Sequence, residues 1–599
     1  MSRGGPATQF VGVIAGAGRG AAAEPAFAPG EPVPMGAKQR GEARVGDLVQ
    51  VTVRGRQGKV VRVFGPSRSP LAAMAALLAD DGKGWGMPRR VDGEAAELVE
   101  GDPLADPGRR DLTAQSVVTI DPEGAKDHDD AIAAAPEGDG VRLWVHIADV
   151  SHYVAPGGHI DAEAERRGNS VYLPGTVDPM LPTRLANDLC SLRPGVVRRV
   201  VTAEMLVHTD GSVSDTRFYR AAIRSECRLT YPDVDRYLAG GALPEDGLAP
   251  TVDAAREAAR RLRARRDAAG GLTVGGGEPQ FSLAPDGVTG VHVEEQTESH
   301  RIVEDCMVAA NEAVARHLIA KSVPALFRHH PDPDPARVQR LYERLDALGV
   351  ATPPLSDREM GPAECRRAAT AAGEAVGRHV ASLAAKGDTR RGTGLWTLVL
   401  RALGQAYYTP AHVTHSGLAS AAYAHFTSPI RRYPDLVVHR ALLHTLGDDT
   451  SLAGKDVLEV VGQQNSDSER EAAALERRGD RICAAMYAQA LFRQDPERVY
   501  RGEVTGVVPG GVFVSFGVAL EGFLPAKRIS DEPLVLDALE IALVGESSDR
   551  GFRLADALDV KIFDVQPLRG RVSLVWVSEA APRVVGLSRA RRRQIPRRR

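Results

Sequence analysis

Four aspartates fall within ten residues, in the run Val117-Val-Thr-Ile-Asp121-Pro-Glu-Gly-Ala-Lys-Asp127-His-Asp129-Asp130-Ala131. The residues on either side read as strands, so the acidic segment is a tight connection between two of them. Carboxylates this close repel one another, and ionising all of them without a cation drives their pKa values up. Hard oxygen donors suit Mg²⁺ or Mn²⁺, which would remove that penalty. The segment therefore points to metal-assisted chemistry on a phosphate; the competing reading is a solvated acidic loop. A calcium EF-hand fails on spacing. Counted from Asp127, the sixth and twelfth positions are Ile132 and Gly138, where that loop needs Gly and Glu.

At 599 residues the chain is too long for one core, and three or more domains are expected. With 43% hydrophobic and 26% charged residues it can build that core without staples. The five cysteines are scattered and odd in number and none lies in a C-x-x-C pair, so neither a disulfide framework nor a zinc site is indicated, and a reducing cytoplasm fits best. No apolar run reaches the length of a membrane span, and no signal peptide is read at the N-terminus. The net charge of −3 is uninformative, but Ser588-Arg-Ala-Arg-Arg-Arg-Gln-Ile-Pro-Arg-Arg-Arg599 is a basic tail. It reads equally as a phosphate-binding arm or as a solubilising end.

Short strands punctuated by Gly and Pro occupy Phe10 to Phe64, as in a small barrel. A helical piece, Pro70 to Leu78, and a polar connector lead to about Arg110. A large mixed region follows to about Phe492. Within it the spacing predicts helices over Thr251–Asp267, Ile302–Val314 and Pro434–His444. From Val499 to Trp576 five short strands return, with aromatics among polar residues, and suggest a five-stranded OB barrel. Phe513, Phe516 and Phe523 are candidate stacking platforms for single-stranded bases; the alternative for each is a place in the core.

Two further constellations carry chemistry. In His425-Phe-Thr-Ser-Pro-Ile-Arg431-Arg432-Tyr-Pro-Asp, a Ser-Pro break sets two arginines just ahead of a helix N-terminus, where guanidinium forks and free N–H groups favour phosphate oxygens. The alternative is a pair of structural salt bridges. In Asn169-Ser-Val-Tyr172-Leu-Pro-Gly175, followed by Asn187-Asp-Leu-Cys-Ser-Leu192, an aromatic sits beside a turn and is otherwise unassigned.

Taken together and in order, Thr119–Ala131, Ser170–Gly175, Asn187–Leu192 and Tyr423–Tyr433 closely resemble the RNB family of processive 3′→5′ exoribonucleases (the RNase II/RNase R family). The resemblance implies a multidomain α+β protein, in which a mixed α/β RNB catalytic domain (111–492) is flanked by a single N-terminal cold-shock-like OB barrel (1–66) and a C-terminal S-one-type OB barrel (493–580). The connector (67–110) and the tail (581–599) complete it. Family members carry two N-terminal barrels, and strands for only one are found here.

The resemblance further implies that Asp121, Asp127, Asp129 and Asp130 hold divalent metal, Mg²⁺ or Mn²⁺, and activate water. Arg431, with Arg432 alongside, would stabilise charge on the scissile phosphate. Tyr172 would stack on the RNA near its 3′ end. The expected activity is hydrolysis of single-stranded RNA to nucleoside 5′-monophosphates by a monomer with no membrane partner. The family's distal catalytic glutamate has no assigned counterpart, and Glu476 is a candidate by neighbourhood only. The rivals are a non-catalytic RNA-binding scaffold on a degenerate RNB domain and a metal-dependent endoribonuclease.

Overall fold

A computed structural model describes residues 8–16, 21–272, 277–356, 358–388, 390, 392–449, 451–548, 550–578 and 584. The basic tail from Ser588 lies outside the described residues. At the N-terminus, strands β1 (Thr8–Ala15), β2 (Ala22–Pro25), β3 (Val33–Pro34), β4 (Asp47–Arg54) and β5 (Gln57–Pro66) form one antiparallel sheet in the order β3-β2-β1-β4-β5. β2 and β3 escape a sequence reading because they are short and rich in Ala and Pro, with no alternation to detect. The sheet curls until its edges face each other: a Cβ at Gly58 in β5 would lie 3.0 Å from Val33 of β3. Among the described residues no hydrogen-bonded ladder joins those edges. What stands where a barrel was expected is thus a curled five-stranded sheet, with the helix Pro70–Asp80, capped by Ser69, packed beneath it.

The strands around the acidic segment belong to one seven-stranded sheet. Its members are β6 (Arg110–Leu112), β7 (Val118–Asp121), β8 (Asp130–Glu137), β9 (Gly140–Ala148), β12 (Val197–Val207), β13 (Val213–Arg224) and β14 (Cys227–Thr230). They run in the order β14-β7-β8-β9-β12-β13-β6, and a separate hairpin, β10 (Val171–Leu173) with β11 (Thr176–Asp178), stands beside them. Side chains alternate between faces. Ile132, Ala134, Leu143, Val145 and Ile147 enter one core with the helices Ala249–Ala268 and Glu298–Ala320. Ala131, Ala133, Ala148 and Val200 face the other way, against Ile430, Tyr433 and Leu436. Alanines on that second face leave room for the arginine-bearing segment to approach β8 closely. The sheet is therefore buried on both sides, and the β7–β8 connection opens at its end.

A forty-residue helix, Lys455–Gln494, runs from the central domain to the C-terminal barrel and packs against the helix Pro70–Asp80 on its way. The barrel is closed, formed by Tyr500–Val508, Gly511–Phe516, Leu520–Pro525, Arg571–Trp576 and Ala557–Gln566 in that order. A three-stranded sheet (Leu534–Leu536, Ala542–Gly545, Gly551–Arg553) is inserted before its last two strands and was not foreseen. Among the described residues no helix is long and apolar enough to cross a membrane.

One stacking assignment is corrected. Phe516 is only 3% exposed and lies in the barrel core against Tyr500, ring centroids 5.2 Å apart. Phe513, 36% exposed, stands an odd number of residues away on the same strand and so faces outward beside its cross-strand partner Phe523. Phe516→Ala should destabilise the barrel by about 3–5 kcal/mol, whereas Phe513→Ala should leave its thermal unfolding nearly unchanged; calorimetric melts of the two variants check this.

Candidate active site

The acidic connection between β7 and β8 is clamped from two sides. Arg228 of β14 donates to the carbonyls of Pro122, at 2.9 Å, and Glu123. Ser191 Oγ donates to the Lys126 carbonyl (2.7 Å) and accepts from the His128 N–H (3.2 Å), while the Leu192 N–H donates to the His128 carbonyl (3.0 Å). The Asn187–Leu192 segment, which carried no role in the sequence, is thus the brace of the acidic loop.

The four aspartates do not share one environment. Asp129 is 1% exposed; one oxygen accepts the Ile430 N–H (2.8 Å) and the other Arg431 Nε (2.6 Å). Asp127 accepts the Tyr172 hydroxyl at 2.6 Å. Asp121 Oδ2 lies 2.9 Å from His128 Nδ1, but the two are not aligned to hydrogen-bond, and this buried oxygen has no hydrogen-bond partner. Burial, and then the charge of Asp121, push Asp130 up to about 8. Burial pushes Asp129 up to about 6, with the Arg431 charge opposing. Arg431 is in turn held firmly ionised: burial works against its charge, but Asp129, Tyr172 and Asp130 together outweigh it.

Among the described residues, no group of three or more His, Cys, Asp or Glu side chains stands ready to hold a metal ion. Asp127 and Asp129 are turned to Tyr172 and Arg431. Asp121 and Asp130 are left with an unpartnered oxygen and a repulsion that raises a pKa, and hard oxygen donors in that state fit a divalent cation.

The arginine segment and the tyrosine hairpin are stitched together. Ser170 N–H donates to the Arg431 carbonyl and Tyr433 N–H to the Gly168 carbonyl, both at 2.9 Å. Arg432 forks onto Asp435 (2.9 and 2.8 Å), so its guanidinium is committed to a buried carboxylate that also accepts the Ser428 N–H (2.8 Å). Tyr172 is 38% exposed, and its N–H donates to Glu476 Oε1 at 2.9 Å.

Tyr172, Arg431 and Arg432 line a cavity of about 230 Å³ whose remaining wall includes Tyr408, Asn465 and Glu469. The Tyr408 hydroxyl is held by His425 Nδ1 at 2.8 Å. Those three wall residues were not anticipated. Asn465, Glu469 and Glu476 lie on the long helix, and recognising that helix, with its 3.6-residue period, was the signal that could have grouped them.

Phe513 and Phe523 lie some distance off on the barrel, their rings 5.1 Å apart. They edge a cavity of about 700 Å³ shared with Arg478, Arg481, Arg569 and Arg571.

With this geometry in place, the comparisons are direct. The RNB domain model matches residues 109–448 and the S1 RNA binding domain model residues 493–575. The chain belongs to the RNB family. It is 33% identical over 567 residues to Ribonuclease R of Escherichia coli (strain K12), covering 91% of this chain and 68% of that protein. Against Ribonuclease R of Aquifex aeolicus (strain VF5) the identity is 34% over 533 residues, covering 87% and 73%. The solved structure of Mycoplasma genitalium RNase R in complex with ribose methylated single-stranded RNA matches with a TM-score of 0.82 at 24% identity, over 95% of this chain and 89% of that one. Yeast Ssd1, a pseudonuclease, shares the fold at a TM-score of 0.64 and 16% identity, over 92% and 69%. The RNB fold alone therefore does not decide activity.

Asp129 and Asp130 titrate above the ordinary carboxylate range in the folded RNB domain, so the folded state holds their protons more tightly than the unfolded chain does. Their contribution to stability is complete below the unfolded carboxyl value of 3.8 and is lost as pH rises from there to about 6 for Asp129 and to about 8 for Asp130. Thermal melts in a chelating buffer should fall across that window, and Asp130→Asn should remove the upper part of the fall.

Proposed function

We propose that this chain is a hydrolytic, processive 3′→5′ exoribonuclease that degrades single-stranded RNA to nucleoside 5′-monophosphates. The carrying observation is the Arg431–Asp129 contact, which fixes one guanidinium against an intact quartet of aspartates. The match to Ribonuclease R along most of the chain supports it.

In this reading Asp121 and Asp130 are the first ligands of Mg²⁺ or Mn²⁺, with Asp127 and Asp129 completing the acidic set. A divalent cation bound there would supply a more acidic water and charge stabilisation for the attacking and leaving oxygens. The protein's own groups do the rest. Arg431 presents positive charge that is already oriented, so little reorganisation is needed as negative charge grows on the phosphate. Arg432, committed to Asp435, shapes the wall rather than moving with substrate.

Tyr172, tethered by its hydroxyl to Asp127 and by its N–H to Glu476, offers its ring to the base near the 3′ end. The cavity of about 230 Å³ is small for a ligand site and suits a chain terminus better than a through-going strand, which favours end-on attack over internal cutting. Phe513 and Phe523 would stack on bases upstream, with the neighbouring arginines on phosphates. The five free, buried cysteines fit a cytoplasmic setting.

Digestion of a 5′-labelled single strand beside a duplex with a short 3′ overhang, with and without EDTA, tests direction, metal dependence and tolerance of structure together. Asp129→Asn should bind RNA nearly as well and lose roughly 100-fold or more in hydrolysis. Undiminished turnover would refute the site. Tyr172→Ala should change the length of the final product more than the rate. Cleavage of a circular RNA would instead establish an endonuclease.

A further inference from the structure

The outer face of the C-terminal barrel carries more than the Phe513–Phe523 pair. Cross-strand register sets out one row on it. Phe513 opposes Phe523, Phe523 opposes Ser573, and Ser573 opposes Asp564. At the far end of that row the strand Ala557–Gln566 bulges, its register slipping between Ile562 and Asp564. A bulge breaks the in-and-out alternation of a strand and re-aims a side chain. Ile562 stays in the barrel core, while Phe563 and Asp564 both face solvent. Phe563 is thereby left 52% exposed, more so than Phe513.

A single exposed apolar residue on a surface needs no explanation. Here the surroundings are specific. Arg528 ends the short turn Ala526–Arg528, which follows directly on the strand that carries Phe523. Its guanidinium lies 3.8 Å from the centre of the Phe563 ring, and among the described residues Arg528 makes no ion pair. Lys527 beside it is exposed as well. On the bulged strand Asp559 is paired with Arg501, so Asp564, which accepts only from Gln566 (3.3 Å), is left to offset two cations. The balance at this end of the row is positive. An exposed ring with an arginine laid on it stacks a nucleobase and sets a cation beside the flanking phosphate. Neighbouring strands lie about 4.8 Å apart, so Phe563 stands roughly 10 Å from Phe523, two strands over. Between them lies Ser573, a small residue that also lines the cavity edged by Phe513 and Phe523, and nothing bulky interrupts the row.

Resting on the exoribonuclease reading, in which Phe513 and Phe523 stack bases, we propose that Phe563 and Arg528 form a further contact for the same single-stranded RNA at the end of this row. A base stacks on the Phe563 ring, and Arg528 and Lys527 meet the flanking phosphate. The contact lies on the barrel, away from the acidic loop. It therefore lengthens the hold on the strand and takes no part in the chemistry.

The test uses the full chain in EDTA, with a long fluorescently labelled oligoadenylate as probe and anisotropy as readout. Phe563→Ala should weaken binding about tenfold, the loss of one stacked base, with thermal unfolding matching the parent. Phe563→Trp, which keeps a ring, should retain the affinity. An isotherm unchanged in Phe563→Ala would overturn the proposal and make Phe563 and Arg528 a surface pair only. A loss that Phe563→Trp fails to restore would overturn it too, since stacking would not be its cause. If the parent binds the strand yet hydrolyses none once Mg²⁺ is added, the exoribonuclease reading falls, while the isotherms still decide this contact.

Discussion

The active-site half of this protein depends on one ion pair between a buried carboxylate and a partly exposed arginine. Asp129 lies at the mouth of β8 and Arg431 some three hundred residues later, yet their 2.6 Å contact and the Ile430 N–H beside it seat the arginine segment against the acidic loop. A carboxylate this deeply buried is costly unless its partners are close and aligned. The surrounding structure exists to keep them so. Alanines 131 and 133 clear the sheet face, Asp435 anchors both Ser428 and Arg432, and the Gly168–Ser170 backbone closes over the arginine loop.

The same pair explains how four aspartates can coexist. Two of them have been given protein partners, Arg431 for Asp129 and the Tyr172 hydroxyl for Asp127. Asp121 has only His128 Nδ1 beside it, with no hydrogen bond formed, and burial followed by the Asp121 charge keeps Asp130 protonated well into the neutral range. The site thus stores an electrostatic deficit that a cation can relieve. Tyr172 links this chemistry to the rest of the molecule, since its backbone is held by Glu476 on the helix that continues to the C-terminal barrel.

That continuity bears on why the fold has both active and inactive members. The sheet, the long helix and the closed barrel are packing solutions that survive without catalysis, as the fold shared with a pseudonuclease illustrates. The candidate site of this chain is a handful of polar groups at one end of the sheet. Their positions are set by backbone braces such as Ser191 and Arg228 rather than by the hydrophobic core.

The amino-acid order specifies the acidic connection, the arginines at a helix start, and the strands of the C-terminal barrel, because each is written in local spacing. It also fixed that Phe513 and Phe516 point to opposite faces, since an odd separation on a strand has no other outcome. Which of the two is inside is settled by packing, because closing the barrel against Tyr500 and the long helix chooses the buried face. Tertiary structure alone likewise placed Tyr408, Asn465 and Glu469 in the cavity wall, brought Glu476 to Tyr172, and gave hydrogen-bond partners to Asp127 and Asp129. Those are contacts between segments far apart in the chain. Local periodicity records what each segment buries, and the partner it meets is chosen only when the faces pack together.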